Sequence, residues 1–234
     1  MNVEIWSDVV CPWCYVGNRR FEKAMTEFEH REDVSVTWRS YQLDPSAPSS
    51  TAGDPVEGLV AKYGMSRAAA EAAQARMTTT AAGEGLDFHL DRARPGNTFD
   101  AHRLLHHARS VGKQDALKER LMAAHFVEGA AVGEREVLVQ LATEVGLSET
   151  AVREVLESDS FAAEVRHDEQ EGRDIGINGV PFFVIDRAYG LSGAQPPEVI
   201  LSALRTAWAA AHPLQMVAAG GSDGEPCTDE SCAI

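Results

Sequence analysis

The hydrophobic positions near the start of the chain predict a strand, a helix and a second strand. Residues 3–7 are apolar enough for a short buried strand. Across residues 12–30 the apolar positions recur at a spacing near that of one buried helical face. Residues 34–39 alternate and include β-branched side chains, which is typical of a strand. We expect a βαβ unit with parallel strands and a right-handed crossover.

The middle of the chain is predicted to be almost entirely helical. Pro45, Pro48, Gly53 and Pro55 interrupt the regular pattern, and helical periods follow them. The predicted helices cover residues 66–82, 98–111, 114–126, 134–145, 149–156 and 161–173. No fixed-period repeat is visible, so a solenoid is not expected.

Strand character returns at residues 180–185 and 188–193, which predict a hairpin, and a last helix begins near Pro196. The order βαβ, helices, ββα predicts an α/β fold: one mixed sheet with a large all-helical insertion. The expected units are a discontinuous sheet domain (1–45 and 175–213), a helical lid (46–174) and a flexible C-terminal tail (214–234).

Composition narrows the possible partners and the compartment. The formal net charge is −15, which disfavours nucleic acid and anionic membranes as partners. No apolar run is long enough to span a bilayer, and the first residues lack the pattern of an export signal, so we expect a cytoplasmic protein. In a reducing compartment, close cysteine pairs such as 11/14 and 227/232 are more often catalytic, redox-sensing or metal-binding than structural.

Cys11-Pro12-Trp13-Cys14 is the strongest candidate for chemistry. Cys11 is expected at the N-cap and Pro12 at the first helical position, so amide groups of the first turn could stabilise a thiolate at Cys11. Lowering a thiol pKa from 8.5 to 6 needs about 3.4 kcal/mol. The helix dipole supplies only about 0.3–1 kcal/mol, so direct hydrogen bonds to sulfur must provide the rest. We predict Cys11 as the exposed attacking thiolate and Cys14 as the resolving thiol.

Other functions of this pair stay open at this point. A C-x-x-C spacing also occurs in zinc ribbons, so half of a structural zinc site, or an inert buried pair, would have the same spacing. The position between a strand and a helix favours redox exchange. No metal is expected to be bound. A zinc-stabilised binding module is the alternative from a different functional class.

Four segments carry a family resemblance: SDVVCPWCYVG (7–17), NTFDAHRL (97–104), GVPFFVI (179–185) and YGLSGAQP (189–196). Together they resemble the FrnE subgroup of the DsbA family. The resemblance implies a thioredoxin fold with disulfide oxidoreductase or isomerase activity on protein or small-molecule thiols. It matches Cys11 and Cys14 to the redox pair and Pro181 to a cis-proline, which would turn the backbone of Val180 toward a substrate.

The same superfamily includes 2-hydroxychromene-2-carboxylate isomerases and kappa-class glutathione transferases, which use a serine near the position of Cys11. A glutathione-dependent isomerase or transferase is therefore the alternative enzyme. Retention of both cysteines favours thiol exchange without a prosthetic group, with glutathione as a possible co-substrate. Trp13 stands where DsbA has histidine, so we expect a potential less oxidising than about −120 mV and reductase or isomerase activity.

Several weaker candidates remain. Cys227 and Cys232 could form an auxiliary dithiol, a metal site or an unused tail segment. Asn97 and Thr98 are expected to cap a helix and are candidate substrate contacts, as is Trp13.

Three further polar residues have patterns with more than one interpretation. His102 and His106 share one helix face at a metal-compatible spacing, but without a third ligand a solvated or lid-facing side is expected. Asp8 is a candidate for proton transfer from Cys14, or for a turn or cap.

Overall fold

The computed structural model describes residues 1–50 and 53–213. Its elements are β1 (Asn2–Ser7), α1 (Pro12–Glu27), a 3₁₀ turn (Arg31–Asp33), β2 (Ser35–Ser40), α2 (Pro55–Tyr63), α3 (Arg67–Gly83), α4 (Phe99–Ser110), α5 (Gln114–Ala123), a π-helical turn (Ala124–Glu128), α6 (Arg135–Glu144), α7 (Glu149–Glu157), α8 (Ala162–Asp174), β3 (Phe182–Ile185), β4 (Tyr189–Ser192) and α9 (Pro197–Ala211). In this part of the chain, no helix is both long and apolar enough to cross a membrane.

The four strands form one mixed sheet in the order β2-β1-β3-β4. β1 and β2 are parallel, whereas β3 is antiparallel to both β1 and β4. At the β3–β4 reversal, Asp186 and Arg187 both have positive φ, which gives the backbone the tight turn that a short hairpin needs. The predicted α/β thioredoxin-like fold with a helical insertion is confirmed.

Helices cover both faces of the sheet. On one face, α1 and α9 bury Phe21 and Leu204 against Ile5 and Phe183. On the other, α8 approaches Trp6 so closely that a Cβ added at Gly172 would lie 2.9 Å from the indole nitrogen. That nitrogen donates to the carbonyl of Asp168 at 2.8 Å. The last helix of the insertion therefore packs directly on the sheet.

The helical block has its own apolar core and contains one helix that the sequence did not predict. The core is built from α4 to α7; among its buried members are Leu104, Leu117, Leu121, Leu138 and Val152. The missed helix is α2, in the proline-containing segment. Asp54 accepts a hydrogen bond from the amide of Val56 at 2.9 Å, Pro55 occupies the first turn, and Gly64 ends the helix with φ 63°. Here proline starts the helix rather than interrupting it.

Candidate active site

Cys11 is the N-cap of α1 and Pro12 begins the helix, as predicted. The prediction that backbone amides of the first turn donate to the Cys11 sulfur is wrong, because the Cys11 side chain accepts no capping hydrogen bond. The amide of Cys14 instead donates to the carbonyl of Cys11 at 3.0 Å. The Cys11 thiol points across the site and donates to the carbonyl of Val180 at 3.6 Å.

The loop facing Cys11 contains a cis peptide bond between Val180 and Pro181, as the family resemblance implied. One contact packs this loop against the first turns of α1, and another joins it to the residue after β4. A Cβ added at Gly17 would lie only 2.8 Å from Cγ of Pro181, so α1 approaches the ring closely. The carbonyl of Pro181 accepts from the amide of Gly193 at 2.8 Å. The dithiol and the carbonyl of Val180 therefore belong to one fixed arrangement.

Both cysteines are free thiols, and both are buried: Cys11 is 4% exposed and Cys14 is 1% exposed. The predicted exposure of Cys11 is wrong. The apolar cluster around the pair includes five residues of the helical block: Met77, Leu86, Phe88, Met122 and Phe126. Trp13 is the exception, with 47% of its surface exposed, so it presents the aromatic surface at the edge of this site.

The two thiols form one titrating unit. Burial acts to raise the pKa of Cys14, but its interactions with the Cys11 thiol and the Asp8 amide, together with the charge of Lys118, lower it overall. The pKa of Cys11 is raised well above its usual value because its thiol bonds to Cys14 and is itself buried. Because the two thiols are coupled, these shifts belong to the pair, and the thiolate of the closed site is shared between the two sulfurs.

Lys118 is a buried residue of the site that the sequence argument missed. It lies on α5, is 1% exposed, and donates from Nζ to the carbonyl of Ser7 at 3.3 Å. Its Nζ is also 5.4 Å from the centre of the Trp38 ring. Burial lowers the pKa of Lys118 to about 8. The available signal was its spacing of three and four residues from Leu121 and Met122, which places it on the buried face of α5.

Asp8 and His102 form a buried polar pair behind the dithiol. Oδ2 of Asp8 accepts from the amide of Leu43 at 2.8 Å, and Oδ1 lies 3.4 Å from Nε2 of His102. Burial opposes ionisation of Asp8, but the interaction with His102 contributes to a lowered pKa. Asp8 is thus held as a carboxylate at the end of β1.

The prediction that His102 and His106 lie on a solvated or lid-facing side of α4 is wrong, because both side chains are buried in the interior. Nε2 of His106 lies 2.9 Å from Oδ2 of Asp168 and 3.1 Å from Oγ of Ser40, while His102 is buried beside Asp8. Within the described ranges, no group of three or more His, Cys, Asp or Glu side chains is arranged to hold a metal ion.

Asn97 has a clear role in the fold. Its Oδ1 accepts from the amide of Phe99 at 2.9 Å, and its Nδ2 donates to the carbonyls of Pro45 and Ala47 at 3.0 and 3.1 Å. It caps α4 and fixes the preceding loop, whereas Thr98 is buried without a capping side-chain bond. Neither residue belongs to the apolar cluster around the cysteines. Cys227 and Cys232 lie outside the described residues.

A cysteine pair at the start of the helix after the first strand, facing a cis-proline on a thioredoxin-like sheet, defines the architecture of thiol–disulfide oxidoreductases. Residues 2–205 match the family model of the DSBA-like thioredoxin domain, and the chain belongs to that family. Assignment to the FrnE subgroup stays a prediction.

Solved structures give the same picture. A probable DsbA oxidoreductase from Streptomyces coelicolor is 45% identical, with a TM-score of 0.87 over 98% of this chain and 100% of the other. A 2-hydroxychromene-2-carboxylate isomerase is 14% identical, with a TM-score of 0.67 over 92% and 100% of the two chains. The cytosolic disulfide reductase DsbM from Pseudomonas aeruginosa, solved with GSH, is 19% identical, with a TM-score of 0.62 over 88% and 98%. The latter two similarities concern the fold alone.

Proposed function

We propose that this protein is a cytoplasmic thiol–disulfide oxidoreductase or isomerase in which Cys11 is the attacking thiol and Cys14 the resolving thiol. The observation that carries the proposal is the position of both thiols in the first turn of α1, with the Cys11 sulfur 3.6 Å from the carbonyl of Val180. A substrate chain pairing with the backbone of Val180 would place its sulfur close to Cys11.

The chemistry needs only the two thiols. The Cys11 sulfur attacks one sulfur of a substrate disulfide, forms a mixed disulfide and releases the other substrate sulfur as a thiolate. The Cys14 sulfur then attacks the Cys11 sulfur, so that the Cys11–Cys14 disulfide closes and the second substrate sulfur leaves. Two electrons pass to the substrate, and the two thiol protons end on the released thiols. Two glutathione molecules would restore the dithiol and leave as glutathione disulfide.

Reduction or isomerisation is favoured over net oxidation. Within the Cys11–Cys14 motif Trp13 supplies no cation, in contrast to the histidine implied by the DsbA resemblance. The fold also resembles that of a cytosolic disulfide reductase solved with GSH, which supports glutathione as the electron donor. The cytoplasmic location rests on this similarity and on the reducing direction of the proposed chemistry.

Trapping tests the assignment of roles. Cys14→Ser should accumulate mixed disulfides with substrate thiols through Cys11, because no second sulfur remains to release them. Cys11→Ser is the matched control and should trap none. Equal trapping by both variants, or by neither, would contradict the proposed roles. A redox titration of the wild type against glutathione should give a potential well below that of a strong oxidant such as DsbA.

A glutathione-dependent isomerase or transferase is the second candidate. It is favoured by the depth of Cys11 beneath Met77, Phe88 and Phe126, since an apolar enclosed site suits a small aromatic substrate better than a protein chain. Such an enzyme would saturate with glutathione and would tolerate Cys14→Ser. Loss of all turnover in that variant would exclude it.

A further inference from the structure

Lys118 is a buried ammonium group with little in its surroundings to balance it. Its hydrogen bond to the carbonyl of Ser7 is long, at 3.3 Å, and an ammonium can donate more than one such bond. In the described part of the chain, no carboxylate lies within ion-pair distance of it. Burial of an unpaired charge costs free energy, so a charged lysine at this position needs a nearby anion to offset that cost.

Lys118 and the dithiol share neighbours at the end of β1 and on α5. Ser7 accepts the Lys118 hydrogen bond through its carbonyl, and the charge of Lys118 contributes to the lowered pKa of Cys14. Met122, one turn further along α5, packs in the apolar cluster that contains both cysteines. One face of α5 therefore covers the cysteines and directs an ammonium group toward the end of β1.

Other charged and titratable groups near this point are already engaged or are neutral. Asp8, after β1, accepts from the amide of Leu43 and faces His102 from α4. His125, in the π-helical turn after α5, is buried, and burial lowers its pKa to about 4, so it is uncharged at neutral pH. Asp8 also attracts the Lys118 ammonium, but the thiolate of the Cys11–Cys14 pair is the nearby anion that only the reduced protein carries.

We propose that Lys118 is a positioning residue of the redox centre: its buried ammonium is the counter-charge of the dithiol and shifts the dithiol–disulfide equilibrium toward the reduced form. The proposal rests on the proposed function only in taking Cys11 and Cys14 as a redox pair. The reduced pair carries a thiolate next to the ammonium, whereas the disulfide carries no charge. The ammonium therefore stabilises one redox state and not the other.

Coupling of this kind is reciprocal. If Lys118 favours the thiolate, the thiolate must favour protonated Lys118, so the pKa of Lys118 must be higher in the reduced protein than in the oxidised protein. Because burial already brings that pKa to about 8, the difference lies in an accessible pH range. The opposing charge at Asp8 is present in both redox states and does not create a difference between them.

The wild-type protein provides the first test, since the chain has only four lysines. With ¹³C at the ε carbons, NMR can follow the titration of each lysine in the dithiol and the disulfide protein. We expect reduction to raise the pKa of Lys118 by about one unit, as a nearby opposite charge does. Lys23, Lys62 and Lys113 should titrate identically in both states. Equal pKa values for Lys118 in the two states would overturn the proposal.

Two variants and a control provide the second test. Lys118→Met removes the charge and the donor, and Lys118→Gln removes the charge but keeps a donor for the Ser7 carbonyl. Both should raise the midpoint of thiolate absorbance by about one unit and move the glutathione equilibrium about tenfold toward the disulfide at pH 7. Lys113 lies directly before α5 and donates to the carbonyl of Val145. Lys113→Met, which loses this bond, should change neither quantity.

The outcomes separate a structural role from an electrostatic one. A lysine that only braces the fold would leave the midpoint unchanged in Lys118→Gln, which contradicts the proposal. If Lys118→Met does not fold, Lys118→Gln and the wild-type titration still decide. A wild type that shows the coupling but exchanges no substrate disulfide would remove the proposed function alone. Normal exchange with unshifted midpoints would remove the role of Lys118 alone.

Discussion

Gly17 offers a sharp test of the contact between α1 and the loop of Pro181. Gly17→Ala adds one methyl group inside a helix, where alanine is favoured over glycine by about 0.5–1 kcal/mol. The new Cβ would lie 2.8 Å from Cγ of Pro181 and 3.4 Å from Cβ of Ala194. Ordinary carbon contacts are about 3.5–4.0 Å, so the proline ring must move by roughly 0.7 Å or more.

The balance of these two effects gives the expected sign. Overpacking of a close contact costs about 1–3 kcal/mol, which exceeds the gain in helix propensity. We expect Gly17→Ala to lower the free energy of unfolding by about 1 kcal/mol. The displaced loop also carries the carbonyl of Val180 away from Cys11, so turnover with a disulfide substrate should fall more than stability alone would cause.

Gly58→Ala is the matched control. Gly58 lies within α2, and a Cβ added there meets nothing within 4 Å. This variant should gain up to about 1 kcal/mol of stability from helix propensity and keep its turnover. Urea unfolding and a steady-state assay with glutathione disulfide measure both quantities. If Gly17→Ala were as stable and active as Gly58→Ala, the close packing of α1 on the Pro181 loop would be refuted.

Three further predictions concern burial and hydrogen bonding. Iodoacetamide should alkylate Cys11 in the native protein at least about tenfold more slowly than in urea, because the thiol is buried; an equal rate would contradict the closed site. Burial lowers the pKa of His125 from 6.5 to about 4, so the unfolded chain binds the extra proton and stability should fall by up to about 3 kcal/mol between pH 6.5 and 4. This acid loss should be absent from His125→Gln in urea titrations at each pH, and its persistence would assign the loss elsewhere. Asn97→Ala should lower the free energy of unfolding by about 1–3 kcal/mol, measured by urea unfolding. The substitution removes the cap of α4 and leaves the carbonyls of Pro45 and Ala47 without that donor. An unchanged unfolding midpoint would contradict this prediction.

Local patterns were sufficient for the sheet and for the placement of the dithiol. The strands, α1 and the hairpin follow from periodicity, and Cys11 before Pro12 has the local chemistry of a helix start. α2 was missed because Pro55 was interpreted as an interruption, although a proline in the first turn of a helix costs nothing.

The features that could not be predicted depend on residues distant in sequence. Cys11 was expected to be exposed because its helix start is exposed in isolation; the side chains that bury it come from α3, the loop between α3 and α4, α5 and the π-helical turn after α5. His102 and His106 were expected on a solvated or lid-facing side because their partners, Asp8 and Asp168, lie on other elements. Periodicity places a residue on a helix face, but it does not say what that face meets.

The helical insertion therefore does more than cover the sheet domain. Met122 and Lys118 lie one turn apart on the same face of α5, and the first belongs to the cluster that buries the cysteines while the second is proposed to carry the balancing charge. Desolvation alone would raise the pKa of a buried thiol and suppress its reactivity. The Lys118 ammonium opposes this rise in the thiol pKa. The low dielectric of the interior penalises the thiolate, but it also strengthens the attraction between the thiolate and the ammonium. One face of α5 therefore supplies both the apolar cover of the dithiol and the charge proposed to stabilise its thiolate.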